Sequence, residues 1–378
     1  MPAPDPFLGR TILNGAFHIE LKIGSGGMGA VYKAHQPEMN RFVAVKILHP
    51  KLADRKDLVS RFGREARALS QLSHPNTVRV FDYGELEDGP LYIIMEFLEG
   101  RNLNQSVRVE GPFAVERALP ILIQSCGALD EAHKAGIIHR DLKPENIFLV
   151  QSASFRDFPK LLDFGLAKVG EQQMRPGSVV LTQEGMVFGT PEFMSPEQAQ
   201  GKTLTAASDV YSLAVILYEV LTGKLPFDAR NAMEHIQHHV TGRPISINHR
   251  APGKTFPPLL EQVVHRALAK RPEERFATAA DFGTALQWVF NGASQLPPHL
   301  APPSQRPDAR AAVPVTTSTP VAGAGRQAVV VHGHSKPTLP ELRGDRRNMS
   351  VRLLVAVAVS FTLLGIALAL VLVRLLNH

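Results

Sequence analysis

A glycine-rich segment near the start of the chain, Gly24–Gly29, has the spacing G-x-G-x-x-G, in which backbone N–H groups can approach a phosphate closely. The spacing alone is a weak signal, because it also opens the dinucleotide-binding fold. That fold requires a helix after the glycines and an acidic residue about twenty positions on, whereas here a second strand is predicted and Lys46 stands 22 residues after Gly24. A phosphate loop of the type G-x-x-x-x-G-K-[ST] is excluded because two apolar residues follow the last glycine. The segment therefore predicts a glycine-rich hairpin that folds over phosphate groups.

Polar residues that could do chemistry recur in further motifs, in a fixed order along the chain. Val43–Lys46 places a lysine in an apolar strand, and Glu65 follows in a helical segment. His139–Asn146 reads H-R-D-L-K-P-E-N, and Asp163–Gly165 reads D-F-G, beginning 17 residues after Asn146. A chance match to one of these motifs is plausible, whereas chance matches to all of them in this order are not.

The elements that must position these residues fall into two groups. Short segments rich in β-branched and aromatic residues come first, and the predicted strands are Phe17–Gly24, Ala30–Ala34, Val43–Leu48, Val78–Tyr83 and Leu91–Phe97. Helical periodicity is found over Asp57–Ser73 and then, after Gly100, over Ala114–Lys134, Ala206–Thr222 and Pro258–Ala269. The pattern predicts a small β-rich lobe followed by a larger helical lobe.

These motifs, in this order and spacing, resemble the eukaryotic-type protein kinase fold. The resemblance covers roughly residues 17–290 and implies an α+β, two-lobed kinase domain, with an N-lobe over about residues 17–95 and a C-lobe over about residues 99–290. It implies ATP as the phosphoryl donor, Mg²⁺ as the cofactor and Ser or Thr hydroxyls of proteins as acceptors. Autophosphorylation and a role in bacterial signalling are expected.

The resemblance also implies a role for the polar residues of the motifs. Asp141 would accept the proton of the substrate hydroxyl or orient it, and Lys143 is typical of serine/threonine kinases. Lys46 would hold the α- and β-phosphates, with Glu65 as the ion-pair partner that fixes its flexible ammonium. The implied magnesium ligands are Asn146 and Asp163, since Mg²⁺ is a hard cation that takes oxygen ligands.

By the same resemblance, the nucleotide would lie between the glycine-rich hairpin, the strand of Lys46 and the hinge between the lobes. The residues implied to bind it are Gly24, Ser25, Gly26, Gly27, Gly29, Val31, Ala44, Lys46, Glu96 and Leu98. Met95 would guard the back of the adenine pocket.

The segment Gly189–Glu197 resembles the end of a kinase activation segment and its peptide-docking loop, with Thr190 in the docking turn. The resemblance further implies that Glu197 pairs with Arg275 and that Asp209 braces the catalytic loop, His139–Asn146. These pairings are expected to be structural.

In this family the arginine of the H-R-D motif, here Arg140, usually contacts a phosphorylated residue of the activation segment. A guanidinium beside the active site needs an anion, because an unpaired desolvated charge is costly. The candidate phosphosites are Ser178 and Thr182, and Thr182 is preferred because it lies nearer the docking loop.

Gly63 lies in the helix of Glu65 and costs about 1 kcal/mol relative to Ala. It is either tolerated, required by close packing, or loosens the helix that must bring Glu65 inward.

Two other functional classes fit parts of the sequence. A pseudokinase would bind nucleotide or partners without catalysis, but Lys46, Asp141, Asn146 and Asp163 are all present. A membrane-tethered scaffold whose linker recruits proteins is permitted by the Pro-rich tail, and a dimer of kinase domains is left open. The leading interpretation is an active serine/threonine protein kinase.

The positive charge of the chain is concentrated in its tail. The formal net charge of +6 could indicate a nucleic-acid partner. Residues from Ser294 onward carry nine of the 41 Lys and Arg but three of the 35 Asp and Glu, so the part before Ser294 is formally neutral. The sequence therefore predicts no nucleic-acid binding, and its single cysteine excludes a Cys-based zinc site.

The tail itself predicts a membrane anchor. Residues 291–350 are rich in Pro and Ala and predict a disordered juxtamembrane linker. Leu353–Val373 is a run of 21 residues without a charge, long enough at about 1.5 Å per residue to span a hydrocarbon core of about 30 Å. A buried core helix is the alternative, but such a helix rarely runs this far without a charge.

Arginines flank this run unequally. Those before it are Arg343, Arg346, Arg347 and Arg352, whereas Arg374 alone follows it. The positive-inside rule therefore predicts a single-pass protein of the inner membrane with its kinase domain in the cytoplasm. With the sequence Met194–Gln198, a single C-terminal span resembles bacterial eukaryotic-like serine/threonine kinases.

Overall fold

The computed structural model describes residues 5–26, 29–49, 56–151, 156–164 and 190–301. In these residues a small lobe, dominated by one antiparallel sheet, precedes a larger lobe of helices. The order and character of the two lobes agree with the prediction from the sequence.

The small lobe consists of a six-stranded sheet and one helix. Its elements are β1 (Thr11–Ile12), β2 (Phe17–Gly26), β3 (Gly29–Gln36), β4 (Arg41–Leu48), helix α1 (Lys56–Ser70), β5 (Val80–Glu85) and β6 (Leu91–Glu96). The strands are antiparallel, in the spatial order β1-β2-β3-β4-β6-β5. All five predicted strands and the predicted helix are present, with ends shifted by three residues or fewer, whereas the short β1 was not predicted.

Alternation along β4 determines which way its lysine faces. The odd-numbered residues from 43 to 47 pack in one buried cluster, and Ala44 and Leu48 pack in a second cluster with Phe62 of α1. Successive side chains of a strand lie on opposite faces of the sheet. Lys46 therefore shares the face of Ala44 and Leu48, toward α1.

The folded region begins before the predicted boundary at residue 17. Asp5 accepts a hydrogen bond from the Tyr32 hydroxyl at 2.9 Å and pairs with Lys22 at 3.0 Å. Ile12 is buried in the core of the sheet. Residues 5–12 thus belong to the small lobe.

The large lobe is built around a helix that is buried on all sides. Its helices are α2 (Leu103–Glu110), α3 (Val115–Lys134), α4 (Pro196–Ala199), α5 (Ala206–Thr222), α6 (Ala232–Thr241), α7 (Ile247–Arg250), α8 (Pro258–Ala267) and α9 (Ala279–Phe290). Of the 17 residues of α5, 15 are buried, as expected for a helix that is apolar around its circumference. The helix ends at Gly223, whose left-handed backbone with φ of 73° favours glycine.

Helices α3 and α9 approach closely at the one cysteine of the chain. A Cβ at Gly283 of α9 would lie 2.9 Å from the Cβ of Cys126 in α3, so a larger residue there would push the helices apart. Cys126 is buried, and burial raises the pKa of its thiol. The thiol is therefore protonated and shielded from solvent.

A three-stranded antiparallel sheet connects the catalytic-loop region to the small lobe. Its strands are β7 (Gly100–Asn102), β8 (Ile147–Val150) and β9 (Phe158–Leu161). Strands β8 and β9 form a hairpin between Asn146 and Asp163. The N–H of Val78 donates to the carbonyl oxygen of Leu161 at 3.0 Å, and the N–H of Leu161 donates to that of Asn76 at 2.7 Å. These bonds tie the segment before β5 to the residues just ahead of Asp163.

The folded region also extends past the predicted boundary at residue 290. Leu300 is 3% exposed in the core of the large lobe, and the guanidinium of Arg266 in α8 donates to its carbonyl oxygen. Among the described residues, no helix has both the length and the hydropathy needed to cross a membrane. The predicted span at Leu353–Val373 lies outside the described residues.

A buried ion pair confirms the predicted contact between Glu197 and Arg275. The guanidinium donates to both carboxylate oxygens, at 2.8 and 2.9 Å, and also to the carbonyl oxygens of Ala207, Ala269 and Lys270. Burial alone would raise the pKa of Glu197, but hydrogen bonds and charge from Arg275 outweigh it and lower that pKa below its ordinary value. The pair joins the segment before α5 to the loop before α9.

We expect Glu197→Ala to destabilise the protein by about 3–5 kcal/mol, because it leaves a buried guanidinium without its anion. Thermal unfolding of the full chain should show a midpoint lower by on the order of 10 °C. Glu273→Ala is the matched control, since Glu273 pairs with Arg271 on the exposed surface, where ion pairs contribute little. Equal midpoints for the two variants would contradict the assignment.

The same ion pair predicts how stability depends on pH. A carboxyl group with a lowered pKa contributes its full stabilisation above the ordinary glutamate value of 4.5 and loses it as the pH falls through the lowered value. The difference in unfolding midpoint between wild type and Glu197→Ala should therefore be constant near neutral pH and shrink in acid.

Candidate active site

The strand register places the glycine-rich hairpin and Lys46 side by side. Gly24 of β2 pairs with Val31 of β3, Val31 pairs with Lys46 of β4, and Lys46 pairs with Ile93 of β6. One row across the sheet thus connects the first glycine of the motif with the lysine. Ile23, which precedes this row, is 46% exposed and adds an apolar surface beside the hairpin.

Position 29, at the tip of the hairpin, requires glycine for two reasons, whereas position 26 has open space. Gly29 has φ of +149°, and a Cβ there would lie 2.1 Å from the carbonyl oxygen of Ile47, so no other residue fits. Gly26 pairs with Gly29, and a Cβ at Gly26 would meet no atom within 4 Å. Ser25 is exposed in β2, and Gly27 lies outside the described residues.

The catalytic loop is held by the carboxylate of Asp209 in α5. Asp209 accepts hydrogen bonds from the backbone N–H groups of His139, at 2.8 Å, and Arg140, at 3.1 Å. It also accepts one from Nε2 of His133 at 2.8 Å, since a carboxylate can only accept. Arg140 has φ of +65°, which is costly for a residue other than glycine, and the hydrogen bonds to Asp209 hold it there. The predicted bracing role of Asp209 is confirmed.

Asp141, Lys143 and Asn146 lie together in this loop. Nζ of Lys143 is 3.3 Å from Oδ2 of Asp141. Nδ2 of Asn146 donates to the carbonyl oxygen of Asp141 at 2.8 Å, which leaves Oδ1 as the side-chain atom that can accept or coordinate. The carbonyl oxygen of Asn146 accepts from the N–H of Leu162 at 2.9 Å, so Asn146 lies next to the residue before Asp163.

Asp163 meets the lysine of the small lobe. Its Oδ1 lies 2.5 Å from Nζ of Lys46, and its side chain is 43% exposed. The backbone of Asp163 is left-handed, with φ of 50°, and the ring of the next residue, Phe164, packs on His139 at 4.6 Å between centroids. Packing of Phe164 in the core therefore fixes the strained turn that presents Asp163.

Glu65 has a different partner from the predicted one. Its Oε1 lies 4.0 Å from Nη1 of Arg140, while the carboxylate that Lys46 contacts is that of Asp163, so the expected pair of Lys46 and Glu65 is not formed between these described residues. Arg140 and Glu65 are each 28% exposed, and such a pair contributes only about 0–1 kcal/mol. A Cβ at Gly63 would meet no atom within 4 Å, which excludes close packing as the reason for this glycine.

The predicted hinge residues follow the end of β6. Ala44 pairs with Met95 across β4 and β6, and Met95 is buried. The carboxylate of Glu96 accepts from Nζ of Lys160 at 2.6 Å, so this side chain ties the hinge to β9. Leu98 is half-buried in the loop that follows.

Thr190 lies at the start of a single 3-10 turn, Pro191–Phe193. A buried histidine of α6, His239, donates from Nε2 to the carbonyl oxygen of Glu192 in this turn at 3.0 Å. Burial lowers the pKa of His239 to about 3, so the ring is neutral and its Nδ1 accepts from the Tyr211 hydroxyl at 2.9 Å. The docking turn is therefore anchored to α5 through a neutral imidazole.

Sequence reasoning missed His133, Tyr211 and His239, which hold the catalytic loop and the docking turn. The available signal is weak: His239 follows Ile236 by three positions, on the buried face of a helix that the sequence did not predict. Both candidate phosphosites, Ser178 and Thr182, lie outside the described residues.

The site thus combines a lysine ammonium, an amide oxygen and two carboxylates from separate segments of the chain. An ammonium suits phosphate groups, and carboxylate and amide oxygens suit a hard cation. Among the described residues, no group of three or more His, Cys, Asp or Glu side chains could hold a metal ion. A sparse oxygen set of this kind fits Mg²⁺, which usually takes one or two carboxylates and completes its shell with water and phosphate oxygens.

Comparison with known families agrees with this geometry. A family model described as the protein kinase domain matches residues 17–288, which is more than half of the chain. The chain therefore belongs to the protein kinase family, and the predicted two-lobed kinase fold is confirmed.

Several of the similar proteins are bacterial kinases. The chain is 42% identical over 288 residues to the serine/threonine-protein kinase pkn3 of Myxococcus xanthus, covering 76% of this chain and 52% of the relative. It is 39% identical over 343 residues to PknB of Mycolicibacterium smegmatis, covering 89% and 51% respectively. The crystal structure of the Mycobacterium tuberculosis PknI kinase domain superposes with a TM-score of 0.56 at 27% identity, covering 75% of this chain and 98% of that one. The chain spans about half the length of these curated relatives.

Proposed function

We propose that this chain is an active protein kinase that transfers the γ-phosphoryl group of ATP to Ser or Thr hydroxyls of proteins. The observation that carries the proposal is the approach of Lys46 and Asp163 to 2.5 Å beside the loop of Asp141 and Asn146. A phosphate-binding cation, the oxygen ligands for a metal and a carboxylate for the acceptor hydroxyl are then all within one site. The names of the bacterial relatives as serine/threonine-protein kinases support the same reaction.

The nucleotide is bound mainly by the small lobe in this proposal. The backbone of Gly24–Gly29 covers the phosphates, Val31 and Ala44 contact the adenine, and the backbone of the Glu96–Leu98 hinge holds its edge. Lys46 neutralises the α- and β-phosphates. Asn146 and Asp163 would hold Mg²⁺, which would supply positive charge beside the phosphates during the transfer.

Chemistry on the acceptor is assigned to the catalytic loop. Asp141 orients the Ser or Thr hydroxyl and takes its proton as the oxygen attacks the γ-phosphorus and the bond to ADP breaks. Lys143, 3.3 Å from Asp141, provides positive charge beside the transferred group. Thr190 and the turn after it would hold the peptide that carries the hydroxyl.

Activation is proposed to exchange the partners of Glu65 and Arg140. The pair between them is long, at 4.0 Å, and Nε of Arg140 is buried without a partner among the described residues. A phosphate on Thr182, or alternatively on Ser178, would offer Arg140 a stronger anion. Glu65 could then move to Lys46, and Gly63 would make the required movement of α1 easier.

The tail is proposed to anchor the kinase domain at the cytoplasmic face of the inner membrane. The support for this comes from the uncharged run Leu353–Val373 and the excess of arginine before it. ATP and protein substrates would then be on the same side of the membrane as the catalytic loop.

The catalytic proposal predicts that the purified full chain phosphorylates a generic basic protein with ATP and Mg²⁺. Lys46→Ala and Asp163→Ala should each lower the rate by at least about 10²-fold, because each removes a fixed charge from the phosphates. Lys134→Ala is the control, since Lys134 is an exposed residue paired with Asp130. Folded Lys46 or Asp163 variants with wild-type turnover would refute the assigned roles.

The activation proposal predicts phosphate on Thr182 of the purified protein. Mass spectrometry should detect it in wild type and not in Asp141→Asn, which cannot autophosphorylate. Thr182→Ala should lower kcat while leaving ATP binding nearly intact, because the phosphate acts through Arg140. A fully active Thr182→Ala protein would assign the switch to another residue.

The membrane proposal predicts the side on which each end of the chain lies. A reporter enzyme fused after His378 should be active only outside the cytoplasm, and one fused at the start of the chain only inside it. Cytoplasmic activity of the C-terminal fusion would contradict the predicted topology.

A further inference from the structure

Gln198 connects the docking segment, residues 190–199, with the catalytic loop. Its side-chain Nε2 donates to the carbonyl oxygen of Arg140 at 2.7 Å, and its Oε1 accepts from the N–H of Ser195 at 2.9 Å. Oγ of Ser195 accepts in turn from the N–H of Gln198 at 3.3 Å, which completes a capping box at the start of α4. One amide group therefore joins two segments that are 58 residues apart in sequence.

The chemistry of this contact requires an amide. A carbonyl oxygen can only accept and a backbone N–H can only donate, so one orientation of the Gln198 amide satisfies both. A glutamate in its place has no donor when ionised, and a lysine has no acceptor. An asparagine is one methylene group shorter.

The peptide group that Gln198 contacts leads directly into Asp141. The carbonyl oxygen of Arg140 is bound by Gln198, and the N–H of Asp141, in the same peptide unit, donates to the carbonyl oxygen of His139 at 2.8 Å. Asp209 holds the preceding N–H of Arg140. The orientation of the peptide before Asp141 is therefore set from both ends, and Gln198 provides one of them.

The docking segment itself is rigidly anchored around Gln198. The neighbouring Glu197 is held by the buried guanidinium of Arg275 at 2.8 and 2.9 Å. Toward the other end of the segment, Glu192 is fixed through its carbonyl oxygen by His239. Because the segment is held at both ends, its contact with the catalytic loop can fix where the backbone of that loop lies.

We propose that Gln198 is a positioning residue that sets the placement of Asp141 relative to the docked substrate. The inference rests on the proposed kinase activity. Gln198 acts through the carbonyl of Arg140 and contacts neither substrate nor nucleotide. Its loss should therefore lower kcat for protein phosphorylation and leave ATP affinity unchanged, since the proposed phosphate and metal contacts of Lys46 and Asp163 do not depend on it.

The test compares Gln198→Glu with Gln200→Glu in the full chain. Gln198→Glu keeps the shape but places a carboxylate oxygen against the Arg140 carbonyl. Gln200 is the matched control, because it directly follows α4 and its Nε2 donates at 2.9 Å to the carbonyl oxygen of Pro196 in that helix. We expect kcat of Gln198→Glu to fall on the order of 10- to 100-fold, as for a small misplacement of reacting groups. Gln200→Glu should keep the wild-type kcat, and directly measured ATP binding should be the same in all three proteins.

A second variant covers the case in which Gln198→Glu does not fold. Gln198→Met removes both side-chain hydrogen bonds without adding charge, and it should lower kcat in protein that is still folded at the assay temperature. Equal kcat for folded Gln198 and Gln200 variants would overturn the inference, as would a fall in kcat matched by lost ATP affinity.

If the wild-type chain transfers no phosphoryl group, the proposed function fails, and amide hydrogen exchange then tests the positioning role of Gln198. Faster exchange at the Asp141 amide in Gln198→Met than in Gln200→Glu would support it, and equal exchange would overturn it.

Discussion

The carboxylate of Asp209 is buried in the first turn of α5 and accepts hydrogen bonds from His133, His139 and Arg140. Its charge is favourable there because helix N-termini stabilise anions. Helix α5 is packed in the core on nearly every side, so the catalytic loop takes its position from a helix that is buried almost throughout. The geometry of the reacting groups thus depends on the hydrophobic core through one polar residue. Removing this acceptor would leave buried N–H groups without partners, at about 1–3 kcal/mol each.

The contact between Lys46 and Asp163 uses the same groups that a nucleotide and its metal would need. It also joins the small lobe to the end of β9, so ligand binding and the relative position of the lobes are physically coupled. While Lys46 contacts Asp163, Glu65 lies near Arg140. Changing from one set of partners to the other requires breaking only weak, partly exposed ion pairs, each worth about 0–1 kcal/mol. Pairs of this strength are compatible with the proposed exchange of partners.

Much of the fold could be predicted from residue patterns, because the strongest patterns are those of buried elements. The apolar periodicity of Ala206–Thr222 predicted both ends of α5 correctly, and short segments rich in β-branched and aromatic residues located five strands. Helix α6 was missed because its three histidines and polar residues obscure the apolar face. The folded ends at residues 5–12 and 291–301 were missed for a different reason: their contacts, such as those of Asp5 with Tyr32 and Leu300 with Arg266, follow no regular periodicity in the sequence.

The site was predictable where a residue type has one chemical use, and less so where partners are exchangeable. Lys46 and Asp163, like Asp141 and Asn146, are brought together as their motifs indicate. The contact of Glu65 with Arg140 was not predictable, because it joins separate segments of the chain and a partly exposed pair of this kind contributes only about 0–1 kcal/mol. The spacing of motifs does not predict contacts with backbone atoms, such as that of Gln198 with the carbonyl of Arg140.

The buried thiol between α3 and α9 has a practical consequence for measuring whether the two lobes move. Because Cys126 is the one cysteine of the chain and is shielded from solvent, thiol-reactive dyes and spin labels should not react with it. A cysteine introduced on the surface of α1 and another on α3 would then be the reactive pair. The distance between two probes at these sites could be recorded with and without nucleotide, on a protein whose native sequence needs no other alteration.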